Sequence, residues 1–286
     1  MSKVQIISIF DKHEDFIKLQ YESIVNHVEG DYEYIIFNNA SDELQAIQNK
    51  KMCEELDIKC IRIQVNYNLD PSNIAGAALN EAFSYFSEES VFKIDSDMFF
   101  ISNINLTELF ESSDLIYIPN YVLGLEIMWS GVFGINMKKI DISLNFKPSV
   151  IPQTDTFDQS SLLTKNNKYI KKIFKLYSIQ NITDNVVISS LNNDCGIYIK
   201  DNEIIFNEKP EYYSDKETLV NLNDKILGIL NIMKLYEFPV PYNVDMIEIN
   251  GVNFMFHFKS SNWCPWYTDQ YVTLKKDSLI KYLKNN

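Results

Sequence analysis

VFKIDSDMFF, residues 91–100, decides how this chain is read. Val91, Phe92 and Ile94 are residues of a buried strand, yet two aspartates, Asp95 and Asp97, stand one residue apart at its end. Ser96 between them is a spacer whose side chain points to the other face. Two ionised carboxylates in that setting need a counter-charge, which a metal ion, a lysine such as Lys93, or solvent can supply. An Asp-x-Asp is also an ordinary solvated turn. The pattern around it has to decide.

Working outward toward the N-terminus, VQIISIF (4–10) reads as a buried strand. Phe16, Leu19, Ser23, Ile24 and Val28 then recur at helical spacing over residues 14–28. YEYIIF (32–37) repeats the strand signal, residues 42–56 open a helix on Asp42 and Glu43 behind Ser41, and CIRIQV (60–65) is a third strand. Asp70-Pro71 supplies an N-cap and first-turn proline for a helix carrying Ile74, Ala78, Ala82 and Phe86. The opening stretch is the fourth strand. This alternation predicts an α/β fold with a Rossmann-like, mostly parallel central sheet, helices on both faces, and a ligand crevice beyond the strand carboxyl ends.

After residue 105 the alternation loosens into an elaborated α+β half. A short helix near LTELF is followed by strands at DLIYIPN and MWSGVFGINM, a helix over 158–176, and a hairpin at IYIKDNEIIF with an Asp-Asn turn. A second hairpin, MIEINGVNFMFHF, turns on Asn250-Gly251, the strongest short turn signal in the chain. Alternation puts His257 on the face opposite Phe254, Phe256 and Phe258. Residues 1–140 and 141–286 are read as two parts integrated in one body, the second bearing the acceptor site and completing the metal site.

The 286 residues, 46% of them hydrophobic, suffice for a full core, and the formal net charge of −13 disfavours nucleic acid as a partner. No apolar run approaches the ~18 residues of a membrane span, and MSKVQIISIF lacks the features of a signal peptide, so the expectation is a soluble, cytoplasmic protein. Cys53, Cys60, Cys195 and Cys264 lack zinc spacing and read as small apolar residues; His13 and His27 read as surface residues. Arg62 is the only arginine. A phosphate ester would find no arginine clamp here, and a divalent cation becomes the natural substitute.

The order IISIF, IIFNNASD, NLDPSNIAGAALNEAF, FKIDSDMFF resembles the nucleotide-sugar-dependent glycosyltransferases of the GT-A fold. The resemblance implies that Asp95, Ser96 and Asp97 meet the donor diphosphate and its cation, Mn2+ or else Mg2+. It implies that Phe10, Asp11, Asn38 and Asn39 serve the base and ribose, and that the helix with Asn73, Gly76 and Asn80 approaches the diphosphate. Asn38-Asn39 also reads as a plain turn, and Asp11 as a helix cap.

FHFKSSNWCPW (256–266) is similar to the HFxGxxKPW segment of the glycogenin and galactinol-synthase-like group, which makes His257 the third metal ligand. The chain departs from that pattern at the glycine and the lysine, with Lys259 a displaced replacement. TDTFDQSSLL (154–163) resembles an Asp-Gln helix start facing donor and acceptor, which implies Asp158, then Asp155, as the catalytic carboxylate. Either aspartate also suits a helix N-terminus. In MWSGVFGINM, Trp129 is a sugar platform or a core residue, and Gly131 lets backbone approach the donor.

The resulting expectation is a metal-dependent glycosyltransferase moving a sugar from a nucleoside diphosphate sugar, UDP-linked, to a hydroxyl acceptor such as a glycan, with the glycogenin-like tail pointing to retention. A non-catalytic carbohydrate-binding protein is the alternative. A sugar nucleotidyltransferase is a third reading, disfavoured because SIFDKHEDF has no glycine after the first strand. Residues 165–245 match no motif.

Overall fold

Strand β1 (Val4–Phe10) is buried along nearly its whole length because helices cover both faces of the sheet it centres. The computed structural model describes residues 3–87, 89–122, 125–141, 143–146, 160–181, 186–190, 193–200, 203–206, 235–237, 242–258 and 269–285. It divides into two compact units, Met1–Phe174 and Lys175–Asn286.

In the first unit, β1 is followed by α1 (Glu14–His27), β2 (Val28–Glu29), β3 (Tyr32–Asn38), α2 (Glu43–Glu55), β4 (Lys59–Arg62), α3 (Pro71–Phe83) and β5 (Ser90–Asp95). Then come β6 (Met98–Phe100), β7 (Ile104–Asn105), α4 (Leu106–Ser112), β8 (Leu115–Val122), β9 (Leu125–Asn136), α5 (Ser161–Thr164) and β10 (Lys171–Ile173). The sheet order is β10-β8-β9-β5-β1-β3-β4. β4, β3, β1 and β5 are mutually parallel, β8 pairs parallel with β10, and β9 runs antiparallel between β8 and β5. The expected α/β architecture with a mostly parallel central sheet is what forms.

Local chemistry sets the helix starts. Asp42 and Asp70 each accept a hydrogen bond from the backbone three residues on, at Gln45 and Asn73, and Pro71 opens α3. On one face of the sheet Ala78, Leu79, Ala82 and Phe83 of α3 pack with Ile7, Ile35, Phe37, Val91 and Phe133. On the other, buried residues of α1 meet the even-numbered set: the Tyr34 hydroxyl donates to Gln20 Oε1 at 2.5 Å. α2 shares that face, where Asn49 donates to Asn38.

Three expectations are corrected here. The helix predicted over 158–176 is confined, among the described residues, to Ser161–Thr164, and residues 171–173 instead extend the sheet as β10 beside β8. Long-range pairing overrides the local pattern: the backbone N–H groups of Asp114 and Leu115 both donate to the Ile170 carbonyl. CIRIQV is strand only as far as Arg62. His27 is buried, with Nδ1 3.4 Å from Asn103 Oδ1, rather than at the surface.

In the second unit an antiparallel sheet runs β14-β13-β12-β11-β15-β16, from β11 (Lys175–Asn181), β12 (Val186–Ser190), β13 (Asn193–Lys200), β14 (Glu203–Phe206), β15 (Tyr242–Ile249) and β16 (Val252–His257). Helix α6 (Asp269–Asn285) follows. Both hairpins form as expected: Lys200 pairs with Glu203, and Asn250 and Gly251 take φ of 51° and 86°, the left-handed pair that a two-residue hairpin turn requires.

Candidate active site

A cavity of about 510 Å³ opens at the carboxyl ends of β1, β3 and β5, in the first unit. Its polar lining comes from Asp11, Asn39, Ser41, Lys93, Asp95 and Ser130; Ile74, Ala75, Ala78 and Leu79 of α3 form an apolar wall. Ile9, Asn39 and Asp95 are brought together because β1 lies in register between β3 and β5, so residues of matching parity end on one side. This is where an open parallel sheet presents a ligand crevice.

That parity sorts the four residues expected at the base and ribose. Asp11 and Asn39 line the cavity. Phe10 is fully buried on the opposite face, and Asn38 is spent there as well, donating to the Ala46 carbonyl at 2.8 Å and accepting from Asn49. Asp11 does not cap α1, whose N-cap is His13; its Oδ1 accepts from the Ser41 N–H at 3.1 Å.

The wall around Asn39 is braced by two residues the sequence did not single out for it. Tyr67 donates its hydroxyl to the Asn39 carbonyl at 2.8 Å and lies 3.1 Å from Asn39 Oδ1. Arg62 donates to the carbonyls of Asn38 at 2.9 Å, Ala40 at 2.7 Å and Ile63 at 3.1 Å. The single arginine therefore holds backbone, as the sequence implied when it left no guanidinium for a phosphate clamp.

The Asp95–Asp97 turn is gripped from both faces of the sheet. From the α1 side the fully buried Gln20 donates through Nε2 to the carbonyls of Asp95 at 2.8 Å and Met98 at 2.7 Å, so one amide ties the two ends of the turn. From the α3 side the buried Lys93 ammonium forms an ion pair with Asp95 Oδ1, bonds the Ser130 carbonyl, and reaches the Gly131 carbonyl at 3.2 Å. Lys93 is thus the counter-charge that Asp95 requires. Asp97 is 7% exposed, and Ser96 is half-buried between the two.

The solved structures this chain resembles include glycosyltransferases. One is the mannosyltransferase PcManGT from Pyrobaculum calidifontis in complex with GDP-Man and Mn2+: 12% identity, 59% of this chain, 54% of that one, TM-score 0.43. Another is the galactosyltransferase LgtC in complex with donor and acceptor sugar analogues: 15% identity, 47% of this chain, 58% of that one, TM-score 0.36. A third is residues 1–349 of S. aureus TarS in complex with UDP: 22% identity, 43% and 37% coverage, TM-score 0.30. The matched parts span 37% to 58% of the length of these proteins. No protein-family model and no curated protein matches the sequence.

The remaining expected residues divide. Asn80 holds backbone, donating to the Phe146 carbonyl at 3.1 Å and accepting from its N–H at 2.9 Å. Asn73 sits in the first turn of α3, where its backbone N–H and side chain both bond the Asp70 carboxylate. Gly131 has a steric role: a Cβ there would lie 2.5 Å from Cη2 and Cζ2 of Trp129, whose indole lies over it. Asp155, Asp158 and Lys259 lie outside the described residues. Just beyond the Asp-Gln pair, Ser160 accepts from the Met128 N–H at 2.7 Å and Thr164 donates to the Glu126 carbonyl at 2.7 Å, anchoring that segment's end to β9.

In the second unit, His257 is buried at the end of β16, with Nδ1 2.8 Å from Oδ2 of the buried Asp245 on β15. When Nδ1–H is donated to the carboxylate, Nε2 carries the lone pair. Such a carboxylate-oriented imidazole is the form in which histidine binds a metal. Asp245 was not anticipated.

Proposed function

We propose that this chain is a divalent-metal-dependent glycosyltransferase of the GT-A type, transferring a sugar from a nucleoside diphosphate sugar to a hydroxyl acceptor. The observation that carries the reading is the Asp95-Ser96-Asp97 turn at the rim of a cavity that also presents Asp11 and Asn39 at the strand carboxyl ends.

Asp95, Asp97 and His257 are proposed as the ligands of one cation. The donor chemistry fits: two carboxylates and a neutral imidazole suit Mn2+ or Mg2+-type coordination, Asp95 keeps Oδ2 for a metal while Oδ1 meets Lys93, and His257 keeps Nε2 while Nδ1 meets Asp245. When bound, the cation would neutralise charge on the departing diphosphate. The chain's own residues do the rest. Gln20 and Lys93 hold the aspartate turn rigid, so no reorganisation is needed when the donor arrives. Asp11 and Asn39 present hydrogen-bonding groups to the nucleoside, Ile74 and Ala75 offer it an apolar wall, and Trp129 is the sugar platform.

Asp158, or else Asp155, is the proposed carboxylate at the acceptor, with retention of configuration. A UDP-linked donor is the favoured substrate. A hydrolysis screen across UDP-, GDP- and other nucleotide sugars, with Mn2+ and with chelator, tests the reading: Mn2+-dependent turnover of one donor class is expected. Saccharide binding indifferent to both nucleotide and metal would replace the reading with a carbohydrate-binding protein.

A further inference from the structure

We infer that Lys93 tunes the cation site so that the protein holds a divalent ion firmly only together with a diphosphate; the inference rests on the reading above. Among the residues lining the cavity, the charged side chains are Asp11, Lys93 and Asp95, so Lys93 is the sole cation there. Arg62, the other cationic group near this edge, bonds backbone carbonyls through both terminal nitrogens.

Lys93 is 4% exposed and cannot swing out to solvent without breaking three contacts: the Asp95 carboxylate and the carbonyls of Ser130 and Gly131 on β9. Its charge is a fixed part of the site. The aspartate pair together carries two negative charges, and Lys93 cancels one of them at Asp95 itself. A divalent ion meeting this arrangement finds one net negative charge and a nearby ammonium that repels it. A donor diphosphate brings the missing negative charge. The cation is then retained by protein and donor jointly, and leaves with the nucleoside diphosphate once the sugar is gone. The same ammonium ties the aspartate turn to the β9 segment carrying Trp129, which puts the metal ligand and the proposed sugar platform on one brace.

The test is Mn2+ binding to the full chain, read from the electron paramagnetic resonance of unbound Mn2+, with and without UDP. Wild type is expected to bind Mn2+ weakly alone and at least about tenfold more tightly with UDP. Removing one positive charge this close should let Lys93→Met bind Mn2+ alone at least about tenfold more tightly than wild type, with the UDP enhancement mostly lost. Lys93→Arg, which keeps the charge, should behave as wild type. If Lys93→Met does not fold, Lys93→Gln, which still donates to the β9 carbonyls, carries the same expectation. Mn2+ affinity of the neutral variant no tighter than wild type, with UDP-dependent binding intact in wild type, overturns the inference and leaves the glycosyltransferase reading standing. Absence of Mn2+ binding in wild type even with UDP overturns that reading itself.

Discussion

Asp245 and His257 stand directly opposite each other on β15 and β16, with Oδ2 of one 2.8 Å from Nδ1 of the other and both side chains buried. The carboxylate orients the ring and leaves Nε2 as its metal-binding atom. Asp245→Leu should therefore weaken Mn2+ binding in the presence of UDP by about 10–100-fold, the usual cost of losing such a partner. Calorimetric titration measures it. Unchanged Mn2+ affinity would count against His257 acting through Nε2.

Asp97→Ala removes a proposed metal ligand from a turn that Gln20 continues to hold by its backbone. Donor hydrolysis with Mn2+ should fall by at least about 10²-fold while the circular dichroism spectrum stays that of wild type. Full activity of the variant under chelation would sink the metal mechanism.

Gln20 is fully buried and makes three hydrogen bonds, two to the aspartate turn and one from Tyr34. Gln20→Leu strands two carbonyls and a hydroxyl, and at about 1–3 kcal/mol for each unsatisfied group it should lower the unfolding free energy by about 2 kcal/mol or more. Tyr34→Phe, losing only one donor, should cost about 1 kcal/mol. Urea unfolding ranks the two, and equal midpoints would contradict the clamp.

Gly131→Ala puts a Cβ 2.5 Å from the Trp129 indole. Overpacking of this kind costs about 1–3 kcal/mol and should move the tryptophan, visible as a shift in emission. In a Trp129→Ala background the glycine substitution should cost much less, and additive costs in the double-mutant cycle would remove the indole as the cause.

Tyr282 packs against Tyr236 and Phe256, and burial, followed by the neighbouring Tyr236, pushes its phenol up to about 12. The folded state holds this proton more tightly than the unfolded chain, whose phenol titrates near 10. Its contribution to stability is thus complete below pH ~10 and is lost as the pH rises from there through ~12. Urea midpoints followed over that interval should fall less steeply for Tyr282→Phe than for wild type. Identical slopes would refute the assignment.

The frame of the first unit was legible because its signals are local. Apolar runs of strand length, Asp42 and Asp70 as caps, Pro71, and Asn250-Gly251 each specify backbone within a few residues. The helix expected over 158–176 failed because edge-strand pairing with β8 is a long-range term that no local window contains.

The sequence by itself determined where the chemistry gathers: an Asp-x-Asp closing the fourth strand of an alternating α/β chain, with its one arginine outside the role of a phosphate clamp. Tertiary structure decided what each neighbour does there. Strand parity, set by the register of β1 between β3 and β5, sends Asp11 and Asn39 to the cavity and Phe10 and Asn38 to the opposite face. Lys93 becomes the partner of Asp95 because β9 runs back beside β5 and supplies carbonyls to bury its ammonium. The pairing of Asp245 with His257 depends on a register shift between Ile247 and Glu248; counted regularly from the Asn250-Gly251 turn, His257 would have faced Val244 instead. A bulge of one residue is a property of the assembled sheet, where packing on both strands selects it, and no spacing in the sequence announces it.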